Sequence, residues 1–98
     1  MKYIIYSKDK ENALPIRKEN REAHLEFLHH RGPVKVLSAG PWLGEDGETM
    51  KGSLIIVEAD KYSTVQRWLA NDPYGKAGLP ESVTIHPFIW AIGGPKEV

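Results

Sequence analysis

Three short stretches of this chain, Tyr3–Tyr6, Leu54–Val57 and Val83–Trp90, carry apolar side chains on both faces of the strands that residue alternation predicts, and few architectures can bury both faces. Strand one sets Tyr3 and Ile5 opposite Ile4 and Tyr6. Strand three sets Ile55 and Val57 opposite Leu54 and Ile56. Strand four sets Val83, Ile85 and Ile89 opposite Phe88 and Trp90.

Between the strands the period changes. Lys2–Lys8 reads as the first strand, closed by the polar run Asp9-Lys10-Glu11-Asn12. Pro15 suits a first helical turn, and Ile16, Ala23 and Phe27 recur at helical spacing, which predicts a helix over Leu14–Arg31 ended by Gly32-Pro33. A second strand spans Val34–Ala39 and stops at Gly40-Pro41. The turn cluster Gly44-Glu45-Asp46-Gly47 leads to a third strand at Ser53–Glu58. Ser63-Thr64-Val65-Gln66 has the form of a capping box, so a second helix starts there, buries Val65, Trp68 and Leu69, and ends near Asn71 ahead of Pro73. A glycine-containing loop then reaches a fourth strand at Val83–Ala91. The order β-α-β-β-α-β is the ferredoxin-like split βαβ plan, an α+β fold. Right-handed crossovers make it a four-stranded antiparallel sheet with both helices on one face. Residues 1–92 form one domain, and Gly93–Val98 reads as a flexible C-terminal tail.

Two helices cover one face of such a sheet, so the two-sided apolar strands call for a second cover. A second copy, sheet against sheet about a two-fold axis, is the expected solution, giving a homodimer or a multiple of it. A monomer that tolerates a few exposed aromatics is the competing reading.

Composition narrows the function classes. With 98 residues the chain is one thin-cored domain, and 13 Lys+Arg against 13 Asp+Glu leave no net field to attract phosphate backbones or anionic lipid. Nucleic acid and membrane are therefore not expected partners. No cysteine is present, which excludes disulfides, thiolate metal sites and a Cys nucleophile. The short apolar run after Lys2 matches neither a signal-peptide core nor a membrane span, so a cytoplasmic protein is expected. His29 and His30 do not share one helical face with His24, which argues against a metal site, and His86 falls in a strand. No glycine-rich phosphate loop follows strand one, and no cofactor is expected.

Two ionisable residues stand out. Arg17, Arg21, His24 and Leu28 recur at i, i+4, i+7 and i+11, a stripe beside the apolar face of helix one that brings the imidazole to the edge of the core. Asp72 extends the Val65, Trp68 series toward the core, at the end of a helix where the macrodipole disfavours an anion, so it needs a partner or solvent. The plainer alternatives are a structural histidine and a turn residue before Pro73.

Taken in order, Arg17 and Arg21 ahead of His24, then Ser38-Ala39-Gly40-Pro41, Gly52-Ser53 and Asn71-Asp72-Pro73-Tyr74 make the chain resemble the YciI-like (YCII-related) family along nearly its whole length. The resemblance implies a dimeric α/β-barrel type of fold and a His–Asp pair in a pocket, here His24 and Asp72. It also implies kinship with lyases acting on hydroxylated, chlorinated aromatic rings. The bulky segment Pro41-Trp42-Leu43 departs from a tidy pattern and is expected to narrow or reshape the pocket.

Such a pair suits proton transfer: a carboxylate on one ring nitrogen fixes the tautomer and leaves the other nitrogen as a general base. Arg17 and Arg21 are candidates to hold a substrate carboxylate or phenolate, unless they lie on a solvated face paired with nearby Glu. Ser53 and the amides near Gly40 are candidate donors to developing negative charge. Ser38 and Tyr74 complete the substrate-binding set. The expectation is a cofactor-free lyase or isomerase with a small, anionic substrate; the alternative is a non-catalytic metabolite-binding or accessory dimerisation module.

Overall fold

A computed structural model describes residues 1–94 as β1 (Lys2–Asp9), α1 (Leu14–His29), β2 (Lys35–Leu43), β3 (Met50–Glu58), α2 (Tyr62–Leu69), α3 (Pro73–Lys76) and β4 (Pro80–Phe88). The sheet order is β2-β3-β1-β4, every neighbouring pair antiparallel. This is the ferredoxin-like α+β fold, of dimeric α/β-barrel type. The expected tail at Gly93–Val98 lies mostly outside the described residues.

Several boundaries differ from the sequence reading, each for a local reason. β2 continues through Gly40-Pro41 to Leu43 because it is an edge strand, where a missing amide costs no ladder bond. β4 begins at Pro80 and ends at Phe88, so Ile89 lies beyond it and is exposed. The box at Ser63-Thr64-Val65-Gln66 does not cap α2, whose N-cap is Lys61. Asp60 serves that end instead: its carboxylate accepts from the Thr64 hydroxyl, which is the main reason its pKa lies below the usual range. The loop expected after Asn71 contains the four-residue α3, too short to leave a periodic signal.

Register sets the chemistry of the helix-covered face. Tyr3 pairs with Val57 and Ile5 with Ile55, then Ser7 pairs with Ser53, and Asp9 follows at the strand end. One end of the face is therefore apolar and the other polar. At the apolar end Tyr3, Ile5, Ile55, Val57, Val65 and Trp68 form the main core, with Phe27 stacked on Trp68 at 4.6 Å between ring centroids. At the polar end α1 lays down Arg17 and His24, its two fully buried residues, whereas Ala23 is exposed. The buried stripe of α1 is thus the polar one, because the strands beneath it end in Ser7, Asp9 and Ser53.

On the opposite face Tyr6 stacks on Trp42 at 5.5 Å, and the Trp42 indole donates to the Ser7 carbonyl at 2.8 Å. Trp42 reaches that carbonyl by crossing Gly52, where a Cβ would overlap both the Ser7 carbonyl oxygen and the indole nitrogen. Gly52→Ala is therefore expected to destabilise the protein by about 1–3 kcal/mol through overpacking. Gly32→Ala, at a position with open space around it, should stay within about 0.5 kcal/mol of the parent. Urea unfolding of both variants checks the contrast.

Candidate active site

α1 supplies two buried side chains, and each meets a carboxylate from another element. His24 Nδ1 lies 2.8 Å from Asp72 Oδ1, both residues only 6% exposed. Asp72 does not sit at the unfavourable end of α2: it is the N-cap of α3, and its Oδ1 also accepts from the Tyr74 amide at 3.0 Å. Pro73 at the first helical position favours that geometry. The turn-residue alternative and the pairing alternative are both met by one carboxylate.

Arg17 forms the second pair. Its Nε donates to Asp9 Oδ2 at 2.8 Å and its Nη2 to Asp9 Oδ1 at 3.0 Å, a bidentate fork, while Nη2 also donates to Ser53 Oγ at 2.8 Å. Burial works against the Arg17 charge, but hydrogen bonding and attraction from Asp9 outweigh it, so its pKa is raised. Between the two pairs lies Tyr74. Its ring stacks on the His24 imidazole, centroids 3.8 Å apart and 13° from parallel, and the Arg17 guanidinium carbon sits 4.8 Å from the same ring centroid. Burial pushes the Tyr74 phenol up, against the pull of Arg17. The sequence Asp9, Arg17, Tyr74, His24, Asp72 is thus one contiguous packed stack.

Arg17, Tyr74 and His24 of this stack line a cavity of about 250 Å³, bounded also by Arg21, Ser53 and the Ala39-Gly40-Pro41 segment of β2, while Asp9 and Asp72 back them without lining it. Since Asp72 occupies Nδ1, Nε2 is the His24 nitrogen left for a ligand. Arg21 lines the cavity from an exposed position, with no hydrogen bond or ion pair among the described residues.

Most of the residues singled out from sequence meet here: Arg17, Arg21, His24, Gly40, Ser53, Asp72 and Tyr74 all belong to the cavity wall or its backing. Ser38 does not. It pairs with Ile56 in β2–β3 register, on the face away from the helices. Trp42 also lies on that outer face and does not narrow the cavity; Pro41 does line it. Arg17 is buried against Asp9 rather than solvated beside Glu. Asp9 is the participant that sequence reading missed, although the alternation Tyr3, Ile5, Ser7, Asp9 places it on the helix-covered face.

Buried charges tolerate loss in pairs better than singly. Arg17→Met, which strands Asp9, is expected to cost about 3 kcal/mol or more, whereas Asp9→Leu combined with Arg17→Met should recover most of that loss. Chemical denaturation of the single and double variants decides it.

Residues 1–89 match the family described as the YCII-related domain. Protein YciI of Escherichia coli is 36% identical over 96 residues, covering 90% of this chain and 96% of that protein. An uncharacterised Haemophilus influenzae protein is 33% identical over 94 residues, with the same coverage. Among solved structures, 5-chloro-2-hydroxyhydroquinone dehydrochlorinase from Burkholderia phenoliruptrix, in complex with 2,5-dihydroxybenzoquinone, superposes with a TM-score of 0.79 at 35% identity, over 91% of this chain and 94% of the other. An EthD-family protein from Bacillus halodurans shares the fold at a TM-score of 0.53 and 13% identity, over 90% and 97% of the two chains. With a match over residues 1–89 and a curated relative 36% identical across 90% of its length, this chain belongs to the YCII-related domain family.

Proposed function

We propose that this protein is a small-molecule lyase that uses His24 as a general base, oriented by Asp72, on a hydroxylated ring of quinone or hydroquinone type. The observation that carries the reading is the buried 2.8 Å contact of Asp72 with Nδ1 of His24, whose ring lines a cavity of small-molecule size. The dehydrochlorinase neighbour supports the substrate class. Loss of HCl from a chlorinated, hydroxylated ring transfers a proton and releases a halide without net oxidation, so a base and donors to an oxyanion are what it requires of a protein. His24 Nε2 takes the proton from a substrate hydroxyl, with Asp72 stabilising the imidazolium, and returns it to the ring carbon that bears chlorine; the C–Cl bond of that carbon then breaks as a second hydroxyl gives up its proton, so chloride leaves with the bonding pair and the ring is left as a quinone. Arg21 and Ser53 face the negative charge left on the substrate oxygen.

With 5-chloro-2-hydroxyhydroquinone as substrate, His24→Ala and Asp72→Asn should each lower turnover by about 10²–10⁴-fold, and the double variant should be little worse than the more damaging single one. Steady-state kinetics, with chloride release as the signal, checks this. Ligand-induced stabilisation with no chloride release from the parent protein would point to a metabolite-binding module instead.

We further propose that the sheet face away from the helices is covered by a second copy. Tyr6 and Leu54 stand 43% and 39% exposed there, beside Ile4 and the Trp42 ring. Sedimentation velocity at micromolar concentration should give the mass of a dimer or a multiple of it, and Leu54→Lys should shift the protein toward monomer. A parent sedimenting at 11.0 kDa contradicts the assembly.

A further inference from the structure

Arg17 lines the cavity, but three of its five N–H donors are directed elsewhere. Nε and one Nη2 hydrogen are held by Asp9, and the other Nη2 hydrogen goes to Ser53 Oγ. The Asp9–Arg17 pair is internally neutral, so it brings no net charge to the cavity. What it does bring is a direction. A serine hydroxyl has one proton and two lone pairs. Once Arg17 donates to Ser53 Oγ, the serine proton must point away from the guanidinium, and among the described residues no group accepts it. Ser53 is 6% exposed and borders the cavity, so the direction left open is toward a ligand.

We propose that Asp9 is a positioning residue which, by clamping Arg17, fixes Ser53 as a hydrogen-bond donor and makes the cavity selective for a ligand with an ionised ring oxygen over its neutral counterpart. The inference rests on the proposed lyase reading and names the feature of the substrate that the site selects. The second electropositive contact to that oxygen is Arg21, one helical turn from Arg17 on the same face and unpaired. Without Asp9 the guanidinium is free to swing, Ser53 can reverse to accept, and the discrimination between oxyanion and ether is lost.

The test uses a pair of probes of nearly one shape, 2,5-dihydroxybenzoquinone, a vinylogous carboxylic acid that is ionised at neutral pH, and its dimethyl ether, which cannot ionise. Calorimetric titration of the parent protein should show the ionised quinone binding at least about 10-fold more tightly than the ether. Ser53→Ala and Asp9→Asn should each remove most of that preference while leaving ether affinity within about 2-fold. The double variant should be no worse than the more damaging single, because the two residues act through one contact. If Asp9→Asn does not fold by circular dichroism, the paired replacement Asp9→Leu with Arg17→Met removes both buried charges together and carries the same expectation. A purely structural Asp9 would weaken both probes equally and add to the Ser53→Ala effect, which overturns the positioning role alone. Failure of the parent to bind either probe overturns the quinone-type reading of the cavity, and this inference with it.

Discussion

A helix that buries an arginine and a histidine on its inward face can pack only where carboxylates meet them, and the rest of this structure is arranged around that demand. Taking an unpaired charge out of water costs several kcal/mol, more than a thin-cored domain of this size can absorb. Asp9 at the end of β1 and Asp72 ahead of α3 satisfy Arg17 and His24 respectively. The polar ends of β1 and β3 follow from the same requirement, since Ser7 and Ser53 face α1 where Tyr3, Ile5, Ile55 and Val57 face the apolar core. Structure and site are therefore not separable here: the contacts that let α1 dock are the ones that wall the cavity.

The short helix α3 makes this arrangement possible. Four residues cannot hold a helix by propensity alone, but Pro73 presets the first turn and the Asp72 carboxylate accepts the Tyr74 amide. That cap fixes the carboxylate toward His24 and places the Tyr74 ring flat between imidazole and guanidinium. One carboxylate oxygen thus serves backbone and imidazole at once, which ties the geometry of the dyad to the local fold. Tyr74 in turn packs with Ala13 and Leu79 in the second apolar cluster, anchoring the stack from behind.

The strand and helix order was legible from residue alternation, because period-two and period-3.6 patterns separate cleanly in a chain with few ambiguous runs. His24 and Asp72 were legible as misplaced polar residues, although Asp72, which the helical period puts at the C-terminus of α2, caps the N-terminus of α3. Asp9 was hidden by its neighbours: Lys10, Glu11 and Asn12 make the whole segment look like a solvated turn, while β1 in fact extends one residue further and turns Asp9 inward. Ser38 entered only through the motif Ser38-Ala39-Gly40-Pro41, and a motif carries no face: β2 has a register shift between Val36 and Ser38, which pairs Ser38 with Ile56 on the face away from the helices. Trp42 was expected to reshape the pocket from its bulk alone, and bulk does not say on which face of the strand it lies. The stacking of Tyr74 between two cationic or basic groups has no one-dimensional signature, since it joins residues fifty positions and more apart in the chain.

The central claim is that His24 presents an unprotonated Nε2 to the cavity because Asp72 holds the proton on Nδ1. Nitrogen-15 NMR of protein labelled in its four histidine imidazoles reads this directly. The account predicts that His24 carries its proton on Nδ1 in the free, neutral ring, and that Nε2 alone shifts on addition of 2,5-dihydroxybenzoquinone as it takes up a proton or hydrogen bond. A neutral ring protonated on Nε2, or an Nε2 resonance unmoved at saturating ligand, would contradict it.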